Sequence, residues 1–128
     1  LIKVEDLMLK GDALPLCGAH EKLLTVLCHL SEKKCGCILI IGKNKVLEGI
    51  FTDGDLRRSI EKWGGDALEK TMDELMTHRP KFTIKSHLAS KALDQMEENP
   101  NKLITVLPVI EEKRVIGLIR MHDILQSL

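Results

Sequence analysis

The chain has 128 residues, 44% of them hydrophobic, and its 19 basic and 19 acidic side chains leave no net charge. No broad positive field is present to hold nucleic acid or an anionic membrane, and two Phe, one Trp and no Tyr leave almost no stacking platform for single strands. The longest strongly apolar run, residues 37–41, is far too short to cross a bilayer and no signal peptide opens the chain, so a soluble, cytoplasmic protein without nucleic-acid or membrane partners is expected.

Residues 4–8 can make one helical turn, after which Gly11 and Pro15 mark an extended connector into a short strand at 14–17. Over residues 20–33 the apolar Leu23, Leu24, Leu27, Cys28 and Leu30 recur at helical spacing, with Lys and Glu on the other side, which predicts an amphipathic helix. Residues 36–41 are apolar throughout and suit a strand covered on both faces; 42–45 turn into a further strand at 46–51. Thr52, followed three residues later by Asp55, has the spacing of a capping box, so strand hands over to helix there. Such a junction gathers free N–H groups and the positive end of a helix dipole, which suits a phosphate. As a cap alone the pair would stabilise the helix by roughly 1 kcal/mol. Arg57 and Arg58 could reach a phosphate from the start of that helix, but read first as solvated charges in its second turn.

Trp63-Gly64-Gly65 ends the pattern, and the order then repeats: a lead-in helix over 67–76, a strand at 81–84, a helix at 88–98 with Leu88, Ala89, Ala92, Leu93 and Met96 inward, strands at 103–110 and 115–120, and a closing helix at 121–127. Pro108 cannot donate to a ladder and points to an edge position or a strand end. An offset of 68, carried without a gap, places Gly49 on Gly117, Asp55 on Asp123, Leu7-Met8 on Leu75-Met76, Leu39 on Leu107, and Leu24 and Cys28 on Ala92 and Met96. The chain is therefore expected to be a tandem duplication, with units at 1–65 and 66–128. Each is close to the ~60-residue size at which an isolated core is marginal, so the halves should pack on each other. The expected class is α/β (α+β), each unit a small sheet packed with two helices.

Four cysteines invite a metal or disulfide, but no Cys-x-x-Cys pair occurs, and Cys35 and Cys37 at the entry to an apolar strand read as reduced, buried thiols. Asp53-x-Asp55 after an apolar strand is superficially similar to the nucleophile loop of haloacid-dehalogenase-like phosphatases. The repeat occupies the space where the rest of that fold belongs, so no catalytic residue and no metal site are assigned.

Two tandem units of this order, each closing on Gly-apolar-apolar-x-x-x-Asp, resemble a pair of CBS domains, the Bateman module, over residues 4–127. Two runs, Met8-x-x-Gly11-Asp12-x-Leu14-Pro15-Leu16 and Gly49-Ile-Phe-Thr-Asp-Gly-Asp-Leu-Arg-Arg58, are similar to the C-terminal half of bacterial D-arabinose 5-phosphate isomerases. The constant offset predicts units related by an approximate two-fold axis that brings the clefts at Thr52 and Arg120 together, and the resemblance implies association into homo-oligomers. It also implies a non-enzymatic, cofactor-free regulatory fragment, preceded in the parent chain by a sugar isomerase domain. That parent would interconvert D-ribulose 5-phosphate and D-arabinose 5-phosphate for Kdo synthesis.

The family motif further implies a site in which a Thr or Ser hydroxyl meets phosphate and an Asp holds ribose hydroxyls. Thr52 and Asp55 match it, with Asp53 between them, whereas the second unit keeps Asp123 but places Arg120 where Thr belongs. These five are the candidate ligand-binding residues. The expected ligand is a nucleotide or nucleotide sugar, with CMP-Kdo favoured from the resemblance; the alternatives are an adenine nucleotide and a purely structural dimerisation module.

Overall fold

Reduced to helices and strands, the chain runs α1 (Val4–Leu7), β1 (Leu16–Cys17), α2 (Leu23–Lys33), β2 (Cys37–Ile41), β3 (Leu47–Thr52), α3 (Asp53–Trp63), α4 (Met72–Leu75), β4 (Thr77–His78), α5 (Ala89–Met96), β5 (Val106–Glu111), β6 (Arg114–Arg120) and α6 (Met121–Gln126). The structure is a computed structural model and describes all 128 residues. Left-handed residues punctuate these elements where the chain must reverse. Lys34 (φ 53) ends α2, Asn44 and Lys45 (φ 57 and 60) turn β2 towards β3, and Glu112 and Lys113 (φ 49 and 68) form the tight turn of the β5–β6 hairpin.

The chain divides into two compact units, Pro15–Pro80 and Leu1–Leu14 with Lys81–Leu128. The linear boundaries 1–65 and 66–128 do not follow these contacts, because each lead-in segment packs in the unit of the other repeat. In the continuous unit β4 pairs antiparallel with β3, Ile50 facing Thr77 and Gly49 facing His78. In the discontinuous unit Leu9 forms the matching bridge to Leu118, with reciprocal backbone hydrogen bonds of 2.8 and 3.0 Å. The two glycines that share the offset of 68 are explained by this packing. A Cβ on Gly49 would stand 2.5 Å from Met76 Sδ and 2.9 Å from the Thr77 carbonyl, and one on Gly117 would stand 2.6 Å from Met8 Sδ and 3.0 Å from the Leu9 carbonyl.

In the continuous unit a four-stranded sheet in the order β1-β2-β3-β4 lays Ile38, Ile40 and Phe51 against Leu23 and Val26 of α2 and Met72 of α4. Cys37 and Leu39, which alternate with Ile38 and Ile40 along β2, are fully buried as well, as a strand covered on both faces requires. The discontinuous unit builds the same core from Leu107, Val109 and Ile119 against Ala89, Ala92 and Met96, with Val4 in the place of Met72.

These cores correct the gap-free offset. It holds for the lead-ins and from β3 to α3, where Gly49 corresponds to Gly117 and Phe51 to Ile119. The helices correspond 66 apart, because Leu23 N–H bonds to Lys70 O as Ala89 N–H bonds to Ile2 O. The strands β2 and β5 correspond 69 apart, since Ile40 faces Gly49 as Val109 faces Gly117. Ala92 is thus the counterpart of Val26 and Met96 of Leu30. Leu24 is 54% exposed and Cys28 is exposed too, so neither joins the core.

The counterpart of Leu39 is then Pro108 rather than Leu107. Leu39 N–H donates to Pro15 O at 2.7 Å and helps hold β1 on the sheet. Proline has no such donor, and the strand expected at 81–84 shrinks to a single parallel bridge of Thr83 to Val109. Pro108 itself lies within β5, opposite Leu118, with its carbonyl accepting from Thr83 N–H.

Candidate functional site

Strand β3 delivers Thr52 to the N-terminus of α3, and the sequence there folds onto itself. Thr52 is the N-cap; its Oγ1 accepts from Asp55 N–H at 3.2 Å, while Asp55 Oδ2 accepts from Thr52 N–H at 2.9 Å. The expected capping box is therefore present with both arms closed. Asp55 is nonetheless more than a cap. Oδ2 also accepts from Thr52 Oγ1 at 3.0 Å, and Oδ1 accepts from Arg58 Nη2 at 2.8 Å and from Thr77 Oγ1 at 3.3 Å. Its main-chain carbonyl receives Ser59 Oγ at 2.7 Å. Only 8% of Asp55 is exposed, so a negative charge is held close to the helix N-terminus, where the dipole favours it.

Asp53, two residues earlier, is exposed; its N–H donates to Gly36 O at 3.1 Å, joining the start of α3 to the loop before β2. Asp53 and Asp55 thus differ in surroundings, the first open to solvent and the second ringed by donors. Of the two arginines read as solvated, Arg57 fits that description, lying 3.9 Å from Glu61 with both side chains largely exposed. Arg58 does not, since it is tied to Asp55. Thr77, on β4, was not singled out from the sequence: it reaches Asp55 across 22 positions of chain. The Asp55–Arg58 pair had a legible signal in its i,i+3 helical spacing.

The second junction is built differently. Arg120 takes the N-cap position of α6 and supplies no side-chain cap. Its Nε donates to Asp123 Oδ2 at 2.7 Å and its Nη2 to Asp123 Oδ1 at 3.0 Å, a two-pronged pairing of a guanidinium with a carboxylate. The two side chains are 27% and 21% exposed, which leaves the pair partly shielded from water. The first junction therefore offers a hydroxyl and a heavily hydrogen-bonded carboxylate, the second a mutually neutralised ion pair. No three His, Cys, Asp or Glu side chains form a group able to hold a metal ion. Cys17, Cys35 and Cys37 are buried thiols that form no disulfide. No helix is long and apolar enough to cross a membrane.

The CBS domain family matches residues 4–62 and 72–128. Arabinose 5-phosphate isomerase KdsD of Pseudomonas aeruginosa is 36% identical over 127 residues, an alignment covering 99% of this chain and 38% of that protein. An uncharacterised protein of Chlamydia pneumoniae is 35% identical over 128 residues, covering 98% of this chain and again 38% of the relative. The chain thus spans well under half the length of the curated relatives it matches. Among solved structures, CBSX2 in complex with AMP superposes with a TM-score of 0.84 at 23% identity, over 99% of this chain and 96% of that one. A CBS domain pair in complex with 5′-methylthioadenosine and S-adenosyl-L-methionine gives 0.85 at 20% identity, over 99% and 95%.

Proposed function

Since this chain belongs to the CBS domain family and carries two such domains in tandem, we propose that it is the regulatory, nucleotide-binding part of a longer sugar-phosphate isomerase. The parent activity is the interconversion of D-ribulose 5-phosphate and D-arabinose 5-phosphate in Kdo synthesis, in the cytoplasm, with the catalytic domain outside these 128 residues. The observation that carries the binding role is a carboxylate on the third helical residue at both strand-to-helix junctions, Asp55 and Asp123, although the N-cap partner changes from Thr to Arg. Capping accounts for part of what Asp55 does. It does not account for Asp123, which caps no amide.

In this reading Thr52 Oγ1 and the dipole of α3 receive phosphate, Asp55 accepts from ribose hydroxyls, and Asp53 borders the site. At the second junction Asp123 repeats the carboxylate, and Arg120 offers a cation to an anionic ligand by sharing or leaving that carboxylate. A carboxylated nucleotide sugar, CMP-Kdo, is the ligand we favour, because it is the end product of the route that the isomerase opens and its extra charge matches a cation at position 120. A second reading, an adenine nucleotide, is supported by the adenosine compounds in the two solved neighbours.

Calorimetry of the 128-residue chain with CMP-Kdo, CMP and AMP, each beside its 2′-deoxy counterpart, tests both. The ribonucleotide of the true ligand should bind, its deoxy form more weakly, and saturation at about 100 times its dissociation constant should stabilise the fold by ~2.7 kcal/mol. Absence of heat and of any melting shift with all of them would leave a structural dimerisation module. The isolated chain should not isomerise arabinose 5-phosphate; measurable turnover would overturn its assignment as a regulatory part.

A further inference from the structure

The Arg58 side chain folds back along α3 onto the first turn. Its Nη2 reaches Asp55 Oδ1 at 2.8 Å, and the group lies over Gly54, where an added Cβ would stand 3.2 Å from Nη2 and 3.3 Å from Nη1. A glycine at that place leaves the guanidinium its room. With Thr52 N–H and Oγ1 on Oδ2 and Arg58 and Thr77 on Oδ1, the carboxylate already accepts from four donors. A carboxylate has about four lone-pair sites; Thr52 Oγ1 frees one on Oδ2 when it turns its single proton to phosphate, so the second hydroxyl of a ribose pair must replace another donor. The three others are unequally held. Thr52 N–H belongs to the capping box, and Thr77 is fixed in β4 by its pairing with Ile50. Arg58 is a long side chain, 57% exposed, on a solvated stem. It is the donor that yields at least cost.

We propose that Arg58 is an exchangeable latch of the nucleotide site, leaving Asp55 Oδ1 to a ribose hydroxyl and moving onto the phosphate of the same ligand. The inference rests on the reading of Thr52 and Asp55 as a nucleotide site. A guanidinium fork suits phosphate at least as well as carboxylate, so a nucleotide returns to Arg58 the partner it takes away. A nucleoside takes Asp55 and offers nothing in exchange. Ribose and phosphate are thus recognised together, and the selectivity of the site for nucleotides over nucleosides resides in Arg58.

Calorimetry of the 128-residue chain with AMP beside adenosine and CMP beside cytidine tests this in the parent, Arg58→Ala and Arg58→Lys, with melting curves to verify each fold. Arg58→Ala should bind the preferred nucleotide about tenfold more weakly, the loss of one charge-assisted hydrogen bond, and its nucleoside as tightly as the parent or more tightly. Arg58→Lys, which keeps the charge without the fork, should fall between. A nucleotide-to-nucleoside ratio unchanged in Arg58→Ala would overturn the latch and leave the nucleotide site standing. A parent chain that binds none of the four compounds, nor CMP-Kdo, would remove the site and the latch together.

Discussion

Replacing Asp55 by Ala tests the first junction most directly, because stability and binding both depend on that carboxylate. Thr52 N–H and Oγ1, Arg58 Nη2 and Thr77 Oγ1 lose their acceptor, at present 2.8 to 3.3 Å away. The four losses are unequal. Loss of a carboxylate from the first turn of α3 is worth about 1 kcal/mol, and a half-buried Thr52 amide left without a partner adds about 1 kcal/mol more; the cap that Thr52 Oγ1 makes on the N–H of residue 55 remains. The Arg58 pair adds roughly 0 to 1 kcal/mol, discounted because its guanidinium is more than half in water. Thr77 can turn its hydroxyl to solvent. The expected destabilisation is therefore ~2 to 3 kcal/mol, read from urea unfolding followed by far-UV circular dichroism. Asp123→Ala should lose less, about 1 kcal/mol, since Asp123 receives only Arg120 and caps no amide. Binding by Asp55→Ala must accordingly be measured under conditions where the variant is folded. A loss below about 0.5 kcal/mol, the range of an ordinary surface substitution, would refute the network just described.

Gly49→Ala forces a Cβ to within 2.9 Å of the Thr77 carbonyl and should cost ~1 to 3 kcal/mol by overpacking, whereas Gly65→Ala meets nothing within 4 Å and should leave the urea midpoint unchanged; equal midpoints for the two variants would contradict the close approach of β4. Of the four thiols only Cys28 is exposed, so a thiol reagent at neutral pH should titrate one cysteine quickly and the remaining three on unfolding; a second fast thiol would show that the core opens. Burial, with the charge of Glu21 adding to it, pushes the Cys17 thiol up from 9.0 to about 12. A raised folded pKa means that this contribution to stability is complete below about pH 9 and is lost as pH rises from there towards about 12, and Cys17→Ala should lack this alkaline loss in urea titrations at stepped pH.

The elements and their order were legible because apolar periodicity and turn residues mark them locally. The capping box was legible for the same reason, since Thr52 and Asp55 satisfy each other without help from distant chain. Helix phase was harder. Five apolar residues spread around α2 give a stripe broad enough to accept Leu24 and Cys28, and only the packing of Leu23 and Val26 on β2 decides its rotation. The gap-free offset concealed a change of two residues before the helix, three after it and one in the hairpin, which cancel by Gly49. At the site, the i,i+3 spacing of Arg120 and Asp123 was open to view, but spacing alone does not tell a cation that pairs within its own helix from one that awaits a ligand. Thr77 was out of reach, as its role arises from a strand pairing that sequence periodicity does not encode.

The exchange of lead-in segments also sets the order in which the chain can fold as it is made. Everything in the unit Pro15–Pro80 is contiguous, so its sheet can close, β4 included, once residue 80 is available. Residues 1–14 group with segments that end at residue 128, and the core that Val4 joins is complete only when those appear. At roughly 5 to 20 residues per second the intervening synthesis takes several seconds, during which the apolar Val4, Leu7 and Met8 lack the core they finally join. A cut at Gly64-Gly65 would not release two halves: the N-terminal piece would lack Met76 and its edge strand, and the C-terminal piece would lack Val4 and the segment that bridges Leu118. The repeat is the unit of ancestry, and the unit of folding is one repeat completed by the opening segment of the other.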